Sequence, residues 1–101
     1  MQKQLESKFQ SLFIKTLKQK FPDCIVVKNN PNYIQGIPDL TMFLGRQWFT
    51  FECKRSANES RRPNQEWYVN RMNEMGGHSY FVYPENMEEI LNDIQQASKV
   101  F

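Results

Sequence analysis

The amino-acid sequence predicts an α/β fold in which a mixed β-sheet is flanked by helices and a further helix follows at the C-terminus. Three observations lead to this expectation. Apolar residues recur at helical spacing in three segments, two strand-like runs lie on either side of Gly45-Arg46, and two further short runs have strand composition. The resulting order is α-β-β-β-α-β-α. With 101 residues, 40% of them hydrophobic, we expect one domain, residues 1–101, with a single core.

The first helix is expected at about residues 2 to 20, because its apolar residues share one face and Pro22 cannot continue it. These apolar residues are Leu5, Phe9, Leu12, Phe13, Leu17 and Phe21. The next run, Cys24 to Val27, is rich in β-branched residues and predicts a short buried strand. A loop containing Asn and Pro, residues 29–38, then leads to Asp39.

A β-hairpin is predicted over residues 39–54, since Gly at the first position of a two-residue turn suits a type II′ turn at Gly45-Arg46. Leu44 then pairs with Gln47, and counting outward puts Asp39 opposite Glu52. Because side chains alternate along a strand, they sort onto two faces. One face carries Leu40, Met42, Leu44, Phe49, Phe51 and Cys53, and the other carries Asp39, Thr41, Thr50, Glu52 and Lys54. We expect a helix against the apolar face.

A second helix is predicted between Pro63 and Gly76-Gly77, because Pro is favoured at the start of a helix and Gly after its end. Its large apolar side chains are most simply read as core: Trp67, Met72 and Met75. A strand over residues 79–83 and a last helix beginning at Pro84 complete the order.

Composition narrows the functional classes. The net charge of only +2 does not by itself indicate a polyanion partner, although residues 54–71 are more basic than the average. The N-terminus has neither a signal-peptide core nor a stretch that could span a bilayer, so the cytoplasm is the expected location. Cys24 and Cys53 do not form a zinc-ligand pattern, and His78 is the only histidine.

Asp39 and Glu52 form the centre of the predicted site. Carboxylates directly opposite across an antiparallel pair are about 5 Å apart and repel each other unless a positive group lies between them. A divalent cation such as Mg²⁺ prefers oxygen ligands and is commonly held by one or two carboxylates and substrate phosphates. Lys54 follows on the same face, where it could assist an attacking water and stabilise charge on a phosphate. Each residue alone would be read as a solvated surface charge, but together they suit phosphodiester hydrolysis.

The ordered set of Gly36-Ile37-Pro38-Asp39, twelve residues, and Glu52-Cys53-Lys54 resembles the signature of the PD-(D/E)XK nuclease superfamily. Within it, the chain is most similar to the small VRR-NUC domains, including stand-alone phage versions, because Gln65 and its helix match a Gln-containing helix of that family. The likeness runs from about Glu6 to Tyr83. It implies a restriction-endonuclease-like αβββαβ core and a metal-dependent DNA endonuclease.

The resemblance also implies roles for individual residues. Asp39 and Glu52 would bind Mg²⁺ or Mn²⁺, with the backbone carbonyl of Cys53 as a further ligand. Lys54 would be the catalytic lysine, and Gln65 is a further catalytic candidate because its surrounding helix also matches.

Five other residues carry weaker expectations. The same resemblance makes Glu6 a candidate metal ligand, since relatives often place an acidic residue of the first helix near the metal, but the helix dipole explains an acidic residue there equally well. Arg55, Arg61 and Arg62 follow the proposed catalytic strand and could bind DNA phosphates, although an ordinary polar loop is the alternative. Lys28 precedes the Asp39 strand and is a further candidate for DNA contact.

We expect DNA as the partner, first of all a branched DNA such as a Holliday junction cut by a homodimer, because so small a chain offers little surface for a duplex. A nicking or restriction-like endonuclease acting on duplex or flap DNA would use the same site. From another class, a catalytically silent DNA-binding or assembly module would keep the fold without the chemistry. The phage relatives suggest a phage-encoded protein acting in the host cytoplasm.

Overall fold

A computed structural model of the protein describes residues 2–99, with the side chains of residues 5–99. Residues 1, 100 and 101, at the ends of the predicted domain, lie outside the described residues. The elements are α1 (Gln2–Lys20), β1 (Ile25–Lys28), β2 (Leu40–Leu44), β3 (Gln47–Cys53), α2 (Pro63–Glu74), β4 (His78–Val82), a 3-10 turn (Pro84–Asn86) and α3 (Met87–Ala97). Their order is the predicted one. None of these helices combines the length and the apolar character needed to cross a membrane.

The four strands form one sheet in the order β1-β2-β3-β4. The pairs β1–β2 and β2–β3 are antiparallel, whereas β3 and β4 are parallel. A parallel pair needs a crossover, and α2 supplies it between β3 and β4. The predicted α/β fold with a mixed sheet flanked by helices is confirmed.

The hairpin of β2 and β3 has the predicted turn and register. Leu44 pairs with Gln47 and Leu40 pairs with Phe51. Gly45 has a φ of 61°, whereas no described residue other than glycine, and therefore not Arg46, has a positive φ. A type II′ turn at Gly45-Arg46 requires this combination, with the positive φ at its first central residue only. Asp39 therefore lies one residue before β2, at the end of the sheet where β3 ends.

The apolar face of the hairpin is the centre of the core. Phe13 of α1 is fully buried and meets Phe51 edge to face, with ring centroids 4.9 Å apart. α3 contributes Ile90, Leu91 and Ile94 to the same cluster. The helix expected against this face is thus α1, joined by α3. The strand residues fully buried there are Leu40, Met42, Phe49, Phe51 and Cys53.

The predicted burial of the first strand is wrong. β1 spans Ile25–Lys28 and pairs only with β2, so that it forms an edge of the sheet. Ile25 is 62% exposed and Val27 43% exposed. A β-branched run favours a strand, but whether other elements cover that strand depends on the rest of the fold.

The prediction that Trp67 and Met75 belong to the core is also wrong. Both side chains are more than half exposed. The sheet-facing side of α2 instead carries Gln65, Val69 and Met72, and Met72 Sδ accepts a hydrogen bond from Thr50 Oγ1. Trp67 lies two residues after Gln65, which turns it to the opposite side of a helix.

Candidate active site

Three carboxylates from three elements converge where β3 ends and β2 begins. Glu6 of α1, Asp39 ahead of β2 and Glu52 of β3 each place one oxygen within 4.8 Å of the other two. Glu52 is only 4% exposed, and the other two side chains are partly buried. The fold therefore brings together the two acids that the hairpin register predicted, and adds Glu6.

The Asp39 carboxylate is oriented by backbone and side-chain contacts. Its Oδ2 accepts a hydrogen bond from the Cys53 N–H at 2.9 Å, across the hairpin from β2. The Asn29 N–H donates to the Asp39 carbonyl at 2.8 Å. Asn29 Nδ2 also donates to the Pro38 carbonyl and to Thr41 Oγ1. Asn29, which the sequence presents as a turn former or a substrate contact, thus anchors the segment that carries Asp39.

Cys53 faces the site through its backbone only. Its side chain is fully buried in the core on the opposite face of β3. Burial and the neighbouring carboxylates raise the pKa of its thiol far above the ordinary range. The thiol is consequently a core group and is unsuited to act as a nucleophile.

Glu6 is directed to the site by the buried stripe of α1. Phe9 and Phe13, three and seven residues further on, are both buried, and residues at these spacings share one helix face. The first turn of α1 contains no acidic residue. Because the helix dipole acts mainly within the first turn, it does not explain Glu6.

The pKa of each carboxyl group in the cluster is raised, in the first place by burial. Burial raises the pKa of Glu52 to about 8; the charge of Asp39 adds to this effect and Lys54 opposes it. Burial also raises the pKa of Asp39, against the hydrogen bond from Cys53. The pKa of Glu6 is raised by burial and by the charge of Glu59. Ionised together, these acids repel one another, and a cation between them would relieve the repulsion.

Lys54 is buried beside the acids, with only 4% of its surface exposed. Its Nζ donates to Gln65 Oε1 at 2.8 Å and to the Ser60 carbonyl at 3.1 Å. Glu59 Oε2 lies 3.7 Å from the same nitrogen. A buried ammonium needs such partners, since an unpaired charge in this environment is costly.

Gln65 joins the lysine to the carboxylates. Its Nε2 donates to Glu52 Oε2 at 3.1 Å, while its Oε1 accepts from Lys54 and from the Arg62 N–H at the start of α2. Pro63 is the first residue of α2, which makes Gln65 the third helical residue, the position whose side chain reaches back to the preceding backbone. The helix start therefore sets the position of this amide.

Gly36 allows the loop ahead of Asp39 to lie close to the same helix start. It has a φ of +90°, and a Cβ built on it would lie 2.5 Å from the Cβ of Asn64. No larger residue fits there without a shift of the backbone. This glycine of the quoted motif thus helps to bring Asp39 and Gln65 to one site.

An open cleft of about 760 Å³ lies over these groups, next to a smaller cavity of about 320 Å³. Arg55 and Arg62 line the larger cleft. Arg61 instead places its guanidinium 4.2 Å from the centre of the Phe81 ring, and Lys28 is exposed at the end of β1. Neither Arg61 nor Lys28 is among the residues that line the two cavities. Of the four basic candidates, the fold therefore brings two to the cleft.

Glu59 and Ser60 are contacts of Lys54 that the sequence did not predict. Both lie in the loop between β3 and α2, where no periodic pattern relates sequence to position. Glu59 was visible only as an acidic residue within a basic stretch.

Comparison with solved structures identifies the fold. A chain described as "VRR_NUC domain" superposes with a TM-score of 0.68 and 22% identity, over 87% of this chain and 95% of that one. A second, described as "VRR_NUC domain protein", superposes with a TM-score of 0.70 and 16% identity, over 94% of this chain and 88% of that one. No protein-family model and no curated protein matches the sequence. The chain therefore has the VRR_NUC domain fold, as the sequence resemblance predicted.

Proposed function

We propose that residues 1–101 form one metal-dependent DNA endonuclease domain that hydrolyses phosphodiester bonds. The observation that carries this proposal is the convergence of Glu6, Asp39 and Glu52 beside a buried lysine that is linked to Glu52 through Gln65. The shared VRR_NUC fold supports it. A surface cluster of charges would not bury its carboxylates at the cost of raising their pKa values.

The donor set fits a hard divalent cation, Mg²⁺ or Mn²⁺. Three carboxylate oxygens lie within 4.8 Å of one another, and Mg²⁺ prefers such oxygen ligands in proteins. Asp39 and Glu52 would hold the cation, with the Cys53 carbonyl and Glu6 as further ligands. When bound, it would supply positive charge at the phosphoryl oxygens and lower the pKa of water.

The chain's own residues complete the chemistry. Lys54 would donate a hydrogen bond to the phosphate or to the attacking water, where its charge stabilises the negative charge that develops in the transition state. Gln65 would hold Lys54 and Glu52 at a constant separation through its two hydrogen bonds. Because these positions exist before substrate binds, little reorganisation is needed during reaction.

DNA would lie across the cleft with its phosphates near the basic residues. Arg55 and Arg62 line the cleft and are suited to phosphate oxygens. Arg61 and Lys28, further away, would contact flanking phosphates. Such contacts position DNA without reading its sequence.

Branched DNA cut by a homodimer is the substrate and assembly that we propose. The uncovered edge strand β1 supports a second copy at this edge, because Ile25 and Val27 are exposed there and an unpaired edge can add a further strand. Cytoplasmic location and phage origin stay predictions from the sequence.

The test is a cleavage assay with synthetic four-way junction, flap and linear duplex DNA in Mg²⁺, Mn²⁺ or EDTA. We expect cation-dependent cleavage that is fastest on the junction and is lost in Lys54→Ala. Preference for flap or linear duplex would replace the junction assignment with the other endonuclease types. Cleavage that survives EDTA, or equal cleavage by Lys54→Ala, would contradict the mechanism. DNA binding without cleavage under any of these conditions would favour the catalytically silent module.

A further inference from the structure

The loop between β3 and α2 supplies two of the three contacts that hold the Lys54 ammonium. An ammonium has three donors. One N–H donates to Gln65 and a second to the Ser60 carbonyl at 3.1 Å, which belongs to this loop. The Glu59 carboxylate, from the same loop, forms an ion pair at 3.7 Å, beyond hydrogen-bond distance, so that the third N–H is left for a phosphate or a water. The position of Lys54 therefore depends on the conformation of residues 55–62.

Glu59 is itself held in place by that loop. Its Oε1 accepts a hydrogen bond from the Arg55 N–H at 2.7 Å and lies 3.6 Å from Arg55 Nε. Its own N–H donates to the Ser56 carbonyl at 3.2 Å. Only 16% of the Glu59 side chain is exposed. The carboxylate thus closes the loop on one side and meets Lys54 on the other.

Glu59 carries a negative charge, which does not suit a residue that binds the phosphates of DNA. A carboxylate in a cleft that receives phosphates weakens the binding of a polyanion. Burial raises the pKa of Glu6, and the negative charge of Glu59 raises it further, so that Glu59 also repels the acidic cluster. Its presence in the cleft is explained instead by its contact with the buried lysine.

We propose that Glu59 is a positioning residue, which holds the Lys54 ammonium at the reaction centre by its ion pair and by closing the loop that presents the Ser60 carbonyl. This inference rests on the proposed endonuclease function. A lysine side chain has many rotamers, and fixing it removes motion that would otherwise carry the ammonium away from the reacting atoms.

The proposal is tested by steady-state kinetics of Glu59→Ala and Glu59→Gln. The substrate is whichever of the four-way junction, flap and linear duplex DNA the wild type cleaves fastest. For Glu59→Ala we expect kcat to fall by roughly 10- to 100-fold, as is typical for residues that orient a catalytic group, while KM stays constant or falls because a negative charge has been removed. Glu59→Gln keeps an oxygen for the Arg55 N–H and should lie between wild type and Glu59→Ala. Glu66→Gln, which changes the same charge at an exposed position of α2, should match wild type.

The opposite kinetic results overturn the proposal. One is a wild-type kcat for Glu59→Ala. The other is a rise in KM and a fall in melting temperature together with the fall in kcat, which general disruption of the loop would produce.

A second measurement does not depend on activity. In ¹⁵N-lysine spectra, the buried Lys54 ammonium should give a slowly exchanging signal, assigned by its loss in Lys54→Met, that disappears in Glu59→Ala and remains in Glu66→Gln. This result supports the proposal even if wild type cleaves no DNA, an outcome that would count only against the proposed function. An unchanged Lys54 signal in Glu59→Ala overturns it.

Discussion

Gln65 donates a hydrogen bond from Nε2 to Glu52 Oε2 at 3.1 Å. The opposite orientation of this amide is excluded chemically. Its Oε1 faces the Lys54 ammonium and the Arg62 N–H, both of which can only donate, so the nitrogen must face the carboxylate. One side chain at the start of α2 thereby links the acidic cluster to the lysine.

Replacing Gln65 should therefore slow catalysis more than it destabilises the protein. In Gln65→Ala both Glu52 and Lys54 lose a partner, and we expect kcat to fall by roughly 10- to 100-fold, as for other residues that orient catalytic groups. The measurement is single-turnover cleavage together with thermal unfolding. Asn70→Ala, at an exposed position of the same helix, is the matched control. Wild-type rates for Gln65→Ala would contradict the positioning role of the amide.

Glu52 should lower the stability of the metal-free protein at alkaline pH. Burial and Asp39 raise its pKa in the folded state to about 8, above the ordinary value of 4.5. The favourable contribution of the protonated group is complete below 4.5 and is lost as the pH rises through 8. Glu52→Gln stays neutral, so in EDTA it should melt at a higher temperature than wild type at pH 8.5, with little difference near pH 4.5.

The control for this comparison is Glu66→Gln, whose exposed side chain should give no such pH-dependent gain. A wild-type protein that is as stable as Glu52→Gln at alkaline pH in EDTA would show that ionisation of Glu52 does not destabilise the folded protein.

Cation binding should strengthen with pH. Because the pKa of Glu52 is raised to about 8, a cation must displace its proton at neutral pH. Below the Glu52 pKa of about 8, the cation has to displace one proton, so its apparent affinity should fall by roughly tenfold for each unit by which the pH is lowered. Calorimetric titration with Mn²⁺ between pH 6 and 8.5 measures this slope, and Asp39→Asn should abolish binding. Affinity independent of pH would contradict a site built from these acids.

Phe13 should be a main source of stability. It is fully buried, meets Phe51 edge to face, and lies on the helix stripe that directs Glu6 to the site. Phe13→Ala should lower the free energy of unfolding by about 3–5 kcal/mol, the usual cost of removing a buried phenyl ring. Denaturant unfolding measures this loss. Leu12→Ala, one position away and 52% exposed, should change it little.

Arg62 should contribute to DNA binding through charge alone. It lines the cleft, and its backbone N–H, which caps α2, is kept in Arg62→Ala. We expect weaker binding of every DNA tested and a slope of log affinity against log salt that is smaller by about 1. Arg71→Ala, which removes an exposed charge paired with Glu74, is the control. An unchanged slope would mean that Arg62 does not contact phosphate.

Periodicity predicted the parts of the molecule that depend on local repetition. The alternation around Gly45-Arg46 was sufficient for the hairpin register, because a shift by one residue would move every apolar side chain to the wrong face. Glu52 and Lys54 followed from that register. Composition could not reveal that β1 is an exposed edge or that Trp67 faces away from the sheet, since both depend on which elements cover them.

The order of the elements, the β2–β3 pairing and the opposition of Asp39 to the Glu52 strand could all be read from the sequence, because they arise from neighbours along the chain. The chain pattern alone could not place Glu6, Gln65 and Glu59 beside these residues: Glu6 and Gln65 were expected there from the family resemblance, and Glu59 was not expected. Glu6 arrives with the packing of α1, Gln65 with the start of α2, and Glu59 with a loop that has no periodic pattern. Their positions are decided by contacts between distant segments, which only the tertiary structure brings together.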